Sequence, residues 1–195
     1  MNAKLNAVLQ AIDSANQADP TTASDDTGTA QPEAYLYGLR MTSELDRIIG
    51  SEASDVLRIA ARGQHIERWL LKRSDYPEGR MGYLNWRRDQ GRAHGERLAG
   101  LMKHAGYTPD PCDRVGVLLR KEGIKRDLEV QQLEDVICFT FLKWYFEPFA
   151  AKHPDEKVLN IVGKTARKMS ASARARVLAE FDLPEAMASA FRTAA

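Results

Sequence analysis

An all-helical fold is predicted by three features of this 195-residue chain. Apolar residues recur at helical spacing through most of it, and turn residues interrupt that pattern at short intervals. No run of period two lasts long enough to count as a strand. The expectation is a single compact domain over residues 1–195, built from about eight helices.

Each element follows from its own signal. Leu5, Val8, Leu9 and Ile12 place one apolar stripe on a helix over Lys4–Asn16. Residues 17–31 are polar and rich in Thr, Ser and Asp, and read as a loop with nothing to bury. Pro32 can open a second helix through about Ile49, where Gly50 can end it. Ser51 or Ser54 caps a third helix, which the pattern carries to about Leu70. Lys72–Gly79 is a charged, turn-rich loop. A long helix runs from about Met81 to His104, and a shorter one from Pro111 to Glu122 is broken at Gly123. Cys112 is placed in the turn at Pro111. Leu128–Ala151 is the strongest helical stretch, apolar on nearly all sides beyond Asp135, hence central. Asp155–Lys168, Ser172–Phe181 and Leu183–Arg192 complete the chain.

The bulk composition narrows the class. Hydrophobic residues make up 44% and charged residues 28%, the balance of a globular rather than a disordered protein. A net charge of +1 gives no polyelectrolyte character, so bulk nucleic-acid binding is not suggested. The distribution is less even: Arg58–Arg97 holds ten Lys or Arg against five Asp or Glu, which suits an anionic ligand or a solvated helix face. The two cysteines, Cys112 and Cys138, lack zinc-type spacing and are not expected to form a disulfide. The N-terminus has no signal-peptide core, and no apolar window reaches membrane-spanning length. A cytoplasmic setting without membrane contact is expected; the oligomeric state is left open.

Several polar residues fall where the pattern predicts a buried helix face. His65 has Ala61 and Trp69 one turn away on its own face, and His94 has Leu98 and Leu101. Asp135 shares a face with Leu128, Phe139 and Leu142, and Glu134 has Val130, Ile137 and Phe141 beside it. Glu122 closes its helix just before Gly123. An ionised carboxylate buried without compensation costs several kcal/mol. A metal ion or a buried Arg would compensate Asp135. Histidine nitrogens and carboxylate oxygens converging inside a helical bundle suit zinc, manganese or iron. His65, His94 and Asp135 are therefore the candidate metal ligands, with Glu122 and Glu134 as candidate catalytic bases. The plainer reading is a core histidine bonded to a carbonyl. Arg40, Arg62, Arg68 and Arg73 are candidates to hold a phosphate, since guanidinium binds it bidentately, or to pair with nearby acids. Tyr76, Tyr83 and Trp86 interleave with these cations, as a cation–π wall or as core.

Two resemblances bear on function. Leu36–Met41, Ala60–Leu70 with Gly82–Arg87, Leu118–Lys125 and Phe149–Lys157 together resemble a bacterial and fungal family of unknown function, DUF4202. That resemblance brings no activity. The order of elements also resembles the HD phosphohydrolase superfamily, helical metal enzymes with a His, a His-Asp pair and a later Asp. It implies an HD-like bundle with Arg40, His65-Ile66 and Asp135 at those stations. Arg40 then replaces the first His and Ile66 the Asp of the pair, so two of four usual ligands are missing. Either a mononuclear site is rebuilt from His65, His94, Asp135 and Glu122, or Arg40 takes the metal's place and pairs with Asp135.

Two functions follow as expectations. One is a divalent-metal-dependent hydrolase of a phosphorylated small molecule or nucleotide. The other is a non-catalytic module that binds an anionic ligand, a protein or an RNA. An iron oxygenase is the third expectation, since helical His-and-carboxylate sites also serve oxygen chemistry.

Overall fold

A computed structural model describes residues 2–194. Along the chain run α1 (Ala3–Asn16), a hairpin of β1 (Thr22–Ser24) and β2 (Ala30–Pro32), α2 (Glu33–Ile48), α3 (Asp55–Arg62), α4 (Gly79–His104) and α5 (Pro109–Arg120). Then follow α6 (Leu128–Thr140), α7 (Phe146–Ala150), α8 (Asp155–Lys168), α9 (Ala171–Glu180) and α10 (Glu185–Thr193). The protein is all-helical apart from the hairpin. Its residues gather into two compact units, Met1–Gly123 and Ile124–Ala195.

In the first unit α4 packs on α5, α3 on α2 and α5, and α1 meets α2, α3 and α4. Val8, Ile12, Met41, Leu45, Ile59 and Leu98 are fully buried between them. Each such side chain contributes roughly 1.5–3 kcal/mol of burial. Glycines let the helices approach closely. A Cβ on Gly95 would lie 3.0 Å from the Gly116 Cα, and one on Gly91 would lie 2.9 Å from the Leu119 carbonyl oxygen. The α4 and α5 backbones therefore touch, along the turn of α4 that carries His94. Gly95→Val should force the two helices apart at a cost of about 1–3 kcal/mol, read from urea unfolding. An unchanged midpoint would contradict that contact.

Arg62 ties three elements together. Its guanidinium donates to both oxygens of Asp13 at 2.6 and 2.7 Å and to the Thr42 hydroxyl at 3.2 Å. Both partners are largely screened from solvent, at 12% and 26% exposure. Arg62→Ala should therefore lower stability by about 1–3 kcal/mol, more than an exposed pair would. The same unfolding measurement checks it.

In the second unit α8 contacts α6, α7 and α10, and α9 contacts α10. Phe139, Val136, Val162, Ala166, Val177 and Phe191 fill its interior.

Four local features depart from the sequence reading. Residues 22–32 pair as an antiparallel hairpin, with Ala23 opposite Gln31. The Asp25 carboxylate accepts from the Thr27 amide and hydroxyl and from the Thr29 amide, and Gly28 completes the turn at φ +83°. Local turn chemistry holds this hairpin without any apolar face, so no alternation betrays it. The third helix stops at Arg62 instead of running to Leu70, with Gly63 as its cap. A Cβ at Gly63 would lie 2.5 Å from the Leu98 side chain, so the chain turns there against α4. Cys112 lies in the first turn of α5 and is buried. Finally, Leu128–Ala150 keeps to one helical path, but Phe141–Tyr145 wind as a π-helix between α6 and α7. Single π-turns are inserts that apolar periodicity hides.

Candidate functional site

The turn after α3 places His65. The turn is held at Glu67: Asn16 accepts the Glu67 amide at 3.0 Å, and Arg97 donates to both Glu67 oxygens at 2.9 and 3.0 Å. Glu67 takes a left-handed conformation, φ 50°, and the chain reverses into the short 3-10 turn Arg68–Leu70. Gln90 on α4 fixes that turn by donating to the carbonyls of Arg68 and Leu71. The His65 ring stacks on Tyr37 of α2, centroids 3.7 Å apart and planes 14° from parallel. Burial holds its pKa well below the ordinary imidazole value, and Arg68, His94, Arg87 and Lys121 push the same way. His65 is therefore neutral at pH 7, and its surroundings are cationic.

His94 stands beside it on α4, only 4% exposed, as the spacing to Leu98 predicts. Burial lowers its pKa to about 4, Arg68 and Arg87 adding to the effect while the Gln64 carbonyl opposes it. Its Nε2 is buried with no hydrogen-bond partner among the described residues, and so is the Gln64 Oε1. Buried polar atoms without partners are uncommon, and each invites an explanation such as a bound ligand.

Arg68 supplies the nearest charge. Its guanidinium lies 4.7 Å from the centre of the Trp86 ring, and the Trp86 indole N–H is tied to the Leu71 carbonyl at 2.9 Å. Among the described residues no carboxylate lies within ion-pair distance of Arg68. Burial and the nearby Arg87 press its pKa down, while Tyr37, Tyr83 and Glu33 partly offset them. Arg87 is exposed on α4, and Lys121 follows α5 in a left-handed conformation, φ 58°. Two neutral imidazoles and three cations thus share one neighbourhood of the first unit.

The other sequence candidates have different surroundings. Arg40 donates to the Ser24 carbonyl at 3.3 Å and to Asp26 at 3.2 Å, tying α2 to the hairpin. Arg62 is engaged by Asp13, as described, and Arg73 donates to the Tyr76 carbonyl at 2.9 Å. Glu122 is exposed and accepts from Arg120, which holds its pKa low. In the second unit, Glu134 is buried with the Lys168 ammonium 3.5 Å away. Asp135 accepts from the Ser170 amide at 2.9 Å, the Ser170 hydroxyl at 2.7 Å and the Gln131 amide at 2.9 Å. Burial raises its pKa, and those three bonds hold the rise in check. The Ser170 hydroxyl in turn caps α9 by accepting the Ala173 amide. These donors account for the buried carboxylate within its own unit.

Among the described residues no group of three or more His, Cys, Asp or Glu side chains is placed to hold a metal ion. The sequence pointed to His65, His94 and Arg68, and to Arg87 as one of the cations crowding the loop and helix start; it did not single out Lys121, Gln64 or Tyr37. The excess of Lys and Arg over Arg58–Arg97 was the available signal for Arg87. Lys121 comes from a separate helix end and carries none.

The family model for a domain of unknown function, DUF4202, matches residues 6–190. The chain belongs to the DUF4202 family. The match spans α2–α9 whole, so the histidine and arginine neighbourhood of the first unit lies inside the DUF4202 domain. Among curated proteins none matches the chain, and among solved structures none does either.

Proposed function

We propose that this DUF4202 domain binds a small phosphorylated ligand, with Arg68, Arg87 and Lys121 as the cationic contacts and His65 and His94 at the inner wall. The observation that carries this reading is Arg68, part-buried, stacked on Trp86 and without a carboxylate in ion-pair range. Guanidinium groups in such settings bind phosphate oxygens in pairs, and the two nearby cations would add to the field. A small ligand fits better than a nucleic acid, because the whole chain carries only +1. Calorimetric titration with inorganic phosphate should give saturable binding that Arg68→Ala weakens at least tenfold. Equal affinity in both proteins would sink the role of Arg68.

A metal-dependent phosphohydrolase is the second reading, favoured by one observation. The Gln64 carbonyl beside His94 and the bare Nε2 form the arrangement that histidine ligands adopt around a metal. His65 and His94 would supply the imidazoles for zinc, manganese or iron, and such a metal would activate a water toward the phosphoryl group. Catalytic zinc sites usually take three protein ligands, which weighs toward binding over catalysis. The order of Arg40, His65 and Asp135 along the chain supports a kinship with HD phosphohydrolases under this reading. Elemental analysis of wild type beside His94→Ala separates the two: metal present in the first and lost in the second would favour the hydrolase.

No helix among the described residues is long and apolar enough to cross a membrane. Cys112 and Cys138 are both buried and neither forms a disulfide. They support a reducing, cytoplasmic setting.

A further inference from the structure

The anion-binding reading leaves open which anion the site takes, and His94 bears on that choice. With Nε2 unpartnered, Nδ1 is the nitrogen left to face the Gln64 carbonyl, so the neutral ring carries its proton there. Nε2 is then a bare lone pair, buried and pointing at no donor. The charged and titratable groups that act on it or on its neighbours are His65 and Arg68 from the turn after α3 and Arg87 from α4; Lys121 after α5 acts on His65, and Glu33 acts on Arg68. Glu67, beside Arg68, is paired with Arg97 of α4. Burial, Arg68 and Arg87 all oppose a second proton on the ring, so it meets a ligand as an acceptor at Nε2.

We propose that His94 makes the site selective for an oxyanion that still carries a proton, such as hydrogen phosphate or a phosphate monoester monoanion, over a fully ionised one such as sulfate. This rests on the anion-binding reading. The ligand's P–OH donates to Nε2, and its remaining oxygens accept from Arg68, Arg87 and Lys121. Arg87 is exposed, Arg68 part-buried and His94 buried, so in this arrangement the hydroxyl is the innermost group of the ligand. Sulfate would bring a lone pair against a lone pair, and a buried acceptor left facing an acceptor loses binding strongly.

Calorimetric titrations of wild type and His94→Gln with inorganic phosphate and with sulfate, at pH 6.5 and equal ionic strength, test this. Wild type should bind phosphate at least tenfold more tightly than sulfate. The Gln amide can turn an N–H toward the ligand, so in that variant the gap should close to within about threefold. Equal affinities in wild type would overturn the selectivity while leaving anion binding intact. Binding of neither anion would overturn the anion reading itself. A gap unchanged in His94→Gln would overturn the role of His94. A second measurement needs no variant: methyl phosphate loses its second proton near pH 6. Its affinity for wild type should fall as pH rises from about 5 to about 8. An affinity that rises over that range would contradict the proposal.

Discussion

Replacing Asp135 with Ala should lower the stability of the second unit by about 2–4 kcal/mol, because it strands several donors at once. The carboxylate is 6% exposed and accepts three bonds, two from Ser170 and one from Gln131. Ser170 is also the N-cap of α9, so losing Asp135 frees the cap to rotate away from the Ala173 amide. Asn at 135 keeps one acceptor oxygen and should retain roughly half of the effect. Urea unfolding followed by circular dichroism reads both variants. A loss under about 0.5 kcal/mol for Ala would contradict this account of the site.

Acidification should destabilise the first unit through its histidines. The folded-state pKa of His94 is about 4 against an ordinary 6.5, so the unfolded chain binds the proton more readily. Stability from this group is complete above pH 6.5 and is lost as pH falls toward 4, by on the order of 3 kcal/mol. His65 is displaced in the same direction and adds to the slope. Paired carboxylates also lose stability in acid, so the informative quantity is a difference. The drop in unfolding free energy between pH 7 and pH 4.5 should be clearly smaller in His94→Gln than in wild type. Identical drops would show that His94 is not held neutral.

The helices were legible in the sequence where one face is apolar and a cap residue marks the end. Ser54, Pro32 and Gly50 set boundaries that the structure keeps within a residue or two. What escaped was local. The hairpin rests on the Asp25 turn, and Phe141–Tyr145 shift to π winding inside an unbroken apolar run. Gly63 was readable as a helix end, but the apolar pattern through Ile66 and Trp69 overrode it. His65 therefore belongs to a turn, where the backbone can aim its ring at Tyr37. A polar residue inside an apolar pattern did mark two side chains that are buried, His94 and Asp135. Such a signal cannot separate a residue whose partners lie in the fold from one that lacks them. Asp135 found Ser170, thirty-five positions away. His94 Nε2 found none among the described residues. Tertiary partners at that sequence distance leave no periodic trace.

Under the proposed function a phosphate anion docks against His65, His94 and Arg68. The most direct measurement is nitrogen-15 NMR of the imidazole rings during titration with inorganic phosphate. Saturable shifts at His65 and His94, with His104 and His153 unmoved, are the predicted result. Imidazole signals that stay in place up to tens of millimolar phosphate, or that move equally for all four histidines, would contradict it.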